Sequence, residues 1–143
     1  QIVLDRLLRK FKRARTLVPP PVVEATGTSS IGLVSVGSSR GAVTEARDML
    51  AKRGIPVDYM RIKAFPFTKE VEAFMAEHEK IFVVEQNRDA QLKSLLTLET
   101  DVPKSKLHSI LHYSGLPMTS KEVMEAVLAE VGDSRQATLA AVT

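Results

Sequence analysis

The sequence contains no cysteine and no tryptophan, and only 5% of its 143 residues are aromatic. Without cysteine, the chain can form no disulfide, ligate no iron–sulfur cluster through thiolates and offer no cysteine nucleophile. The few aromatic rings disfavour a stacking platform for single-stranded nucleic acid. No apolar run approaches the roughly 18 residues of a membrane span, and no signal-peptide pattern is present. We therefore expect a cytoplasmic protein that binds neither nucleic acid nor membrane.

Positive charge is concentrated at the start of the chain. The first 15 residues hold six basic side chains against Asp5 alone, a balance of +5, whereas the whole chain carries only +3. Apolar residues recur there at helical spacing, which predicts a basic amphipathic helix ending before the prolines at 19–21. Such a helix could lie on a membrane surface. We favour docking on a neighbouring domain, because Gln1 in place of Met leads us to expect a piece of a longer polypeptide.

Short apolar runs alternate with amphipathic stretches from residue 22 onward. Strands are predicted over residues 31–37, 57–64, 81–85 and 107–113, with an edge strand over 22–25. The last helix is predicted to begin with a Thr119-to-Glu122 capping box and to end at Gly132. This alternation predicts an α/β fold with a mainly parallel sheet and helices on both faces. We divide the chain into a basic helix with a Pro-rich linker (1–28), an α/β domain (29–132) and a frayed tail (133–143).

A first candidate site is the turn after the strand 31–37. A strand that leads into a helix presents free backbone N–H groups and the positive end of the helix dipole. Serine hydroxyls and an arginine there suit a phosphate or carboxylate, so the predicted anion-binding residues are Ser38, Ser39 and Arg40. The commoner alternative is an ordinary helix start with a solvated arginine.

A second candidate site is the polar turn after the strand 81–85. A glutamate could act as a base and an arginine could hold an anion. No catalytic partner stands at a diagnostic spacing, so we favour a polar contact with another domain or subunit, with Asp89 as the cap of the next helix. The predicted interface residues are Glu85, Gln86, Asn87, Arg88 and Gln91.

The three histidines give no metal site. His108 and His112 lie four residues apart, so on a strand they would be about 13 Å apart and could not share a metal ion. His78, at a predicted helix end, more simply complements the helix dipole. The residues alone indicate an α/β domain with no identifiable catalytic residue.

Four segments resemble a known family. They read IGLVSVGSS, GIPVDYMRIKAFPFT, IFVVEQNRDAQLKSLL and ILHYSGLPMTSKEV. Together they are similar to the C-terminal region of the alpha subunit of 2-oxoacid:ferredoxin oxidoreductases, with the greatest likeness to the 2-oxoglutarate type. The resemblance implies a three-layer α/β/α sandwich with a mostly parallel five-stranded sheet, like the C-terminal domain of transketolase.

The resemblance also implies a role within a larger complex. The family oxidatively decarboxylates a 2-oxoacid to an acyl-CoA, using thiamine diphosphate, Mg, a [4Fe-4S] cluster and CoA, and passes electrons to ferredoxin. We expect these cofactors to be held by the thiamine domain and the beta subunit, with none bound here. This chain alone is then expected to be inactive and to serve assembly. The alternatives are an anion- or CoA-binding module, and the equivalent domain of another thiamine enzyme.

Overall fold

Five strands form a single sheet in the computed structural model, which describes the backbone of residues 1–140 and the side chains of residues 1–132. The strands lie in the order β1-β3-β2-β4-β5. β1 runs antiparallel to β3, and the other neighbouring pairs are parallel. The strands are β1 (Val22–Glu24), β2 (Ile31–Val36), β3 (Asp58–Ile62), β4 (Lys80–Glu85) and β5 (Leu107–Leu111).

Helices cover both faces of the sheet. They are α1 (Ile2–Ala14), α2 (Arg40–Ala51), α3 (Lys69–Glu77), α4 (Gln91–Glu99) and α5 (Ser120–Ala140), and the turns Gly37–Ser39 and Lys104–Lys106 are short 3₁₀ helices. α2 and α5 pack on one face and α3 and α4 on the other. None of these helices, within the described residues, has the length and apolar character that crossing a bilayer demands. The expected three-layer sandwich with a five-stranded sheet is confirmed.

The alternation of side chains along β2 explains the two apolar cores. Leu33 faces α2 and α5 and the next residue, Val34, faces α3 and α4, and both are fully buried. Successive side chains of a strand point to opposite faces, so a parallel strand covered on both sides is apolar throughout. This is why the parallel strands appear in the sequence as unbroken apolar runs.

Three predicted ends are wrong by two residues or more. The strand predicted over residues 57–64 is β3, which ends at Ile62. β5 ends at Leu111 rather than at residue 113, because the ring of His112 bonds to the carbonyl oxygen of Leu116 at 2.6 Å and turns the chain. The last helix does not end at Gly132 but continues to Ala140, through most of the predicted tail 133–143. Gly132 does not adopt the positive φ that a C-terminal glycine cap needs. Residues 141–143 of that tail lie outside the described residues, and the division into domains stays a prediction.

The capping box at the start of α5 is confirmed. The backbone N–H of Thr119 donates to Glu122 Oε2 at 2.7 Å, and the N–H of Glu122 donates to Thr119 Oγ1 at 3.3 Å. Two of the helix's free N-terminal donors are thereby satisfied reciprocally. The hydrogen bonds from Thr119 hold the pKa of Glu122 below its usual value.

A buried polar cluster joins the amino end of β3 to the end of α3. Asp58 Oδ1 accepts from both the N–H and the hydroxyl of Thr26, at 2.6 and 2.7 Å. Asp58 Oδ2 lies 3.2 Å from His78 Nε2, and His78 Nδ1 lies 2.8 Å from the carbonyl oxygen of Phe74. Burial raises the pKa of Asp58, but the bonds from Thr26 and His78 outweigh it and leave the pKa lowered. His78 therefore contacts a helix-end carbonyl, as expected, and also a carboxylate that the sequence did not reveal.

Candidate functional site

The two candidate turns lie side by side at the carboxyl edge of the sheet. β2 and β4 are neighbouring parallel strands, so the turns that follow them meet at one edge. Gln86 Nε2 donates to Ser38 Oγ at 3.2 Å and links the two turns directly. The structure thus unites residues that are 48 positions apart in the chain.

Ser39 does not form part of an anion site. Its side chain is only 2% exposed, and its hydroxyl donates to the carbonyl oxygen of Val36 at 3.2 Å. The 3₁₀ turn Gly37–Ser39 turns this hydroxyl inward before α2 begins at Arg40. The prediction of anion binding is therefore wrong for Ser39, whereas Ser38 and Arg40 are exposed.

Arg61 is a residue at this edge that the sequence reasoning missed. It pairs with Ser35 across β2 and β3, and its Nη2 donates to the carbonyl oxygen of Gly37 at 3.4 Å. Burial raises the pKa of Tyr59, and a bond from Ser35 and the nearby charges of Arg61 and Arg40 oppose the rise. Two guanidinium groups thus lie near the same phenol. Tyr59 and Arg61 are two residues apart on β3, so their side chains lie on the same face. The sequence contains this spacing, but only the pairing of β3 with β2 brings Arg61 to the turn that follows β2.

Glu85 lies inside the protein. Its side chain is 1% exposed, and its carboxylate accepts from the backbone N–H groups of Leu92, at 2.5 Å, and Lys93, at 3.2 Å. Asn87 Nδ2 donates to the same carboxylate at 2.9 Å. Glu85 therefore caps the N-terminus of α4 and satisfies donors that have no partner within the helix. The prediction that Glu85 contacts another domain is wrong, because its own domain surrounds it.

Asn87, not Asp89, shapes the turn. Its Oδ1 accepts from the backbone N–H groups of Asp89, at 3.0 Å, and Gln91, at 3.4 Å. α4 begins at Gln91 after Ala90, which has a left-handed backbone with φ 50°, and Asp89 makes no cap bond. The prediction that Asp89 caps the helix is wrong. The side chains of this turn that face outward are those of Gln86, Arg88, Asp89 and Gln91, and Asp89 pairs with Arg88.

Exposed apolar side chains accompany these polar groups at the same edge. Tyr113 and Leu116 follow β5 and are 66% and 72% exposed, and Val36 ends β2 with 42% exposed. His112 donates its backbone N–H to the carbonyl oxygen of Glu85 at 2.9 Å, which holds the segment after β5 beside the polar turn. Aromatic residues and arginine are enriched in protein–protein interfaces relative to the rest of the surface.

The remaining histidines attach β5 and the segment after it to α5. His108 Nδ1 lies 3.3 Å from Glu130 Oε2, and His112 Nδ1 lies 3.3 Å from Glu122 Oε1. Burial lowers the pKa of His108, although the charge of Glu130 opposes this. Within the part of the chain that the structure describes, no three His, Asp or Glu side chains converge to hold a metal ion.

The fold defines a class, the transketolase-like α/β domains. A split-gene transketolase chain matches with a TM-score of 0.61, over 78% of this chain and 42% of that chain. The two are 19% identical, so this likeness shows the fold alone.

Sequence relatives define the family within that class. The alpha subunit of 2-oxoacid:ferredoxin oxidoreductase 2 from Aeropyrum pernix is 32% identical over 142 residues, covering 94% of this chain and 22% of the subunit. The alpha subunit from Saccharolobus solfataricus is 32% identical over 105 residues, covering 72% of this chain and 16% of the subunit. No protein-family model matches. The chain belongs to the family of 2-oxoacid:ferredoxin oxidoreductase alpha subunits and spans about a fifth of the length of these relatives.

Solved structures agree with this family. The 2-oxoglutarate:ferredoxin oxidoreductase from Magnetococcus marinus, with 2-oxoglutarate, coenzyme A and succinyl-CoA bound, matches with a TM-score of 0.74 and 28% identity. The match covers 84% of this chain and 21% of that one. The alpha chain of a probable 2-oxoacid ferredoxin oxidoreductase from Thermoplasma acidophilum matches with a TM-score of 0.54 and 25% identity, over 79% of this chain and 97% of that chain.

Proposed function

We propose that this domain serves assembly in a cytoplasmic, hetero-oligomeric complex that oxidatively decarboxylates a 2-oxoacid, forms an acyl-CoA and reduces ferredoxin. The main support is the carboxyl edge of the sheet, where exposed polar and apolar side chains lie together. Among the described residues, these side chains form no catalytic constellation. In this proposal Gln86, Arg88 and Tyr113 contact the thiamine domain or the beta subunit and hold the thiamine site in register. Family membership supports the parent reaction.

The cofactors of the parent complex are proposed to lie outside this domain. The chain has no cysteine to ligate a [4Fe-4S] cluster, and among the described residues no three His, Asp or Glu side chains converge on one position. The chemistry that these groups supply is therefore assigned to other domains and subunits. We expect this chain alone to show no turnover.

We propose 2-oxoglutarate as the 2-oxoacid. Support comes from the Magnetococcus marinus enzyme, which has 2-oxoglutarate bound and whose structure matches 84% of this chain. The choice among oxoacids would be made by residues of the complex outside this domain.

A second candidate function is binding of a CoA phosphate. Ser38 and Arg40 are exposed at the start of α2, and Arg61 lies beside the same turn. Backbone N–H groups at a helix N-terminus and guanidinium groups both favour anions. The CoA bound to the Magnetococcus marinus enzyme is the observation that favours this candidate.

Reconstitution of the complex with Arg88→Ala and Tyr113→Ala tests the assembly role. We expect each variant to weaken association of the alpha and beta subunits by roughly 5- to 30-fold, because arginine and tyrosine anchors typically contribute about 1–2 kcal/mol to an interface. Analytical ultracentrifugation gives the dissociation constant, and turnover with 2-oxoglutarate and CoA gives the activity.

Lys52→Ala is the matched control. Lys52 is exposed at the C-terminal end of α2, away from the carboxyl edge of the sheet where α2 begins. Unchanged association and turnover in both test variants would remove the interface assignment. Arg40→Ala separates the two candidates: a raised KM for CoA with normal association favours the anion site, and an unchanged KM excludes it.

A further inference from the structure

Helix α1 presents an apolar face that the described part of the chain leaves uncovered. The helix contains no buried residue, and Leu4, Leu7 and Leu8 are 52–65% exposed. Phe11 continues this face, which also includes Ala14 and is bordered by Lys10. At helical spacing, Arg6, Arg9 and Arg13 fall on the opposite side of the helix.

The C-terminal end of α1 contacts the domain through Arg15 and Phe11. Arg15 donates from Nε to the carbonyl oxygen of Phe67 at 2.6 Å and forms an ion pair with Glu72 on α3. The rings of Phe11 and Phe65 are 5.7 Å apart, and Phe65 packs edge-on against Phe67 at 5.3 Å. The apolar face of α1 therefore continues onto Phe65.

This helix needs a partner to persist. A 13-residue helix is marginal in water, because most helical stability in proteins comes from burying an apolar face. Only seven large apolar side chains are exposed on this surface, six on α1 and that of Phe65, whereas a standard stable complex between separate chains uses about 20–30 residues a side. A surface of this size is sufficient when the partner belongs to the same subunit, since linkage supplies a high effective concentration.

The positive charge of α1 distinguishes among the possible partners of its apolar face. Residues 1–15 carry six basic side chains and one acidic side chain, so two copies of α1 packed together would repel one another. An apolar groove bordered by carboxylates would match both the apolar face of α1 and its positive charge. About four-fifths of the length of the Aeropyrum pernix relative lies outside the matched region, which provides room for such a groove.

We propose that α1 docks its apolar face into an apolar, carboxylate-bordered groove on the remaining part of the alpha subunit. The proposal rests on the assembly role and adds a second surface to it, separate from the carboxyl edge. α1 then fixes the position of the whole α/β domain, because Arg15 and Phe11 transmit its orientation to α3 and the segment before it.

Hydrogen exchange of the α1 amides in the complete alpha subunit tests the proposal. We expect the amides of residues 5–14 to exchange at least 100-fold more slowly in the complete subunit than in this 143-residue chain. The double variant Leu4→Ser/Leu8→Ser should lose at least tenfold of that protection. Leu98→Ser is the matched control, because Leu98 is an exposed leucine on a different helix, and it should leave the protection of α1 unchanged.

Three outcomes would overturn the proposal. Equal protection of α1 in the 143-residue chain and the complete subunit would show that no further partner is needed. Protection that rises with the concentration of the 143-residue chain would assign the face to a second copy. Protection gained only on vesicles of phosphatidylcholine and phosphatidylglycerol would assign it to a membrane surface. Normal α1 protection together with failure of the Arg88 and Tyr113 variants to alter association would reject the carboxyl-edge assignment alone.

Discussion

Replacing Glu85 tests whether the centre of the polar turn is a structural cap or a contact surface. Glu85→Ala removes the acceptor for the N–H groups of Leu92 and Lys93 and for the amide of Asn87. The Leu92 N–H is buried, so the variant leaves a buried donor without a partner, which costs about 1–3 kcal/mol. Loss of a helix cap adds about 0.5–2 kcal/mol. Because the two effects overlap, we expect a loss of about 3 kcal/mol.

Glu85→Gln removes the negative charge of the side chain but keeps its size and shape. The amide oxygen can still accept from Leu92, but the NH₂ group then faces donors, and the negative charge at the helix N-terminus is lost. We expect a loss of about 1–2 kcal/mol. Asp89→Ala is the control, because this neighbouring carboxylate is exposed and pairs only with Arg88. It should change the free energy of unfolding by less than about 0.5 kcal/mol.

Urea unfolding of the 143-residue chain measures these differences. A loss of 3 kcal/mol lowers the midpoint by roughly 1.5–2 M for a domain of this size. Faster hydrogen exchange at Leu92 and Lys93 in Glu85→Ala would locate the effect at α4. If Glu85→Ala were no less stable than Asp89→Ala, the capping role would be refuted, and the carboxylate would again be a candidate for contact with another domain.

Two further predictions concern the amino end of the sheet. The pKa of Asp58 lies below its ordinary value of 3.8, so its contribution to stability is complete above that pH and is lost as the pH falls through the lower folded value. Asp58→Asn should therefore cost about 2 kcal/mol at pH 7 and flatten the decline in stability as the pH falls below 3.8, as urea unfolding at successively lower pH would show; parallel curves for variant and parent would contradict it. Gly32→Ala should cost about 1–3 kcal/mol, because its Cβ would lie 2.7 Å from Phe74 Cε1. The control Gly132→Ala, in helix α5 with open space around it, should raise the melting temperature, and equal effects of the two glycine changes would contradict the packing argument.

Local patterns in the chain predicted the architecture well. The apolar runs over 31–37 and 81–85 became β2 and β4 within one residue, since a strand covered on both faces has apolar residues throughout. The Thr119-to-Glu122 box began α5 as predicted, because all its bonds form within one helical turn. The boundary at Gly132 was wrong because a glycine ends a helix only when it adopts the left-handed conformation, which the sequence alone does not reveal.

The side-chain contacts at the candidate site were determined only by the tertiary structure. The sequence by itself determined the strand order along the chain, the layered fold, the two polar turns and the resemblance to the alpha subunits, because each depends on residues close together in the chain. The structure decided that Glu85 points inward to Leu92, seven residues on, that His78 meets Asp58 across 20 residues, and that Gln86 reaches Ser38 across 48. The contacts of His78 and Gln86 depend on which strands become neighbours and in what register. The inward direction of Glu85 depends on the conformation of the turn that Asn87 shapes, which the sequence alone did not reveal.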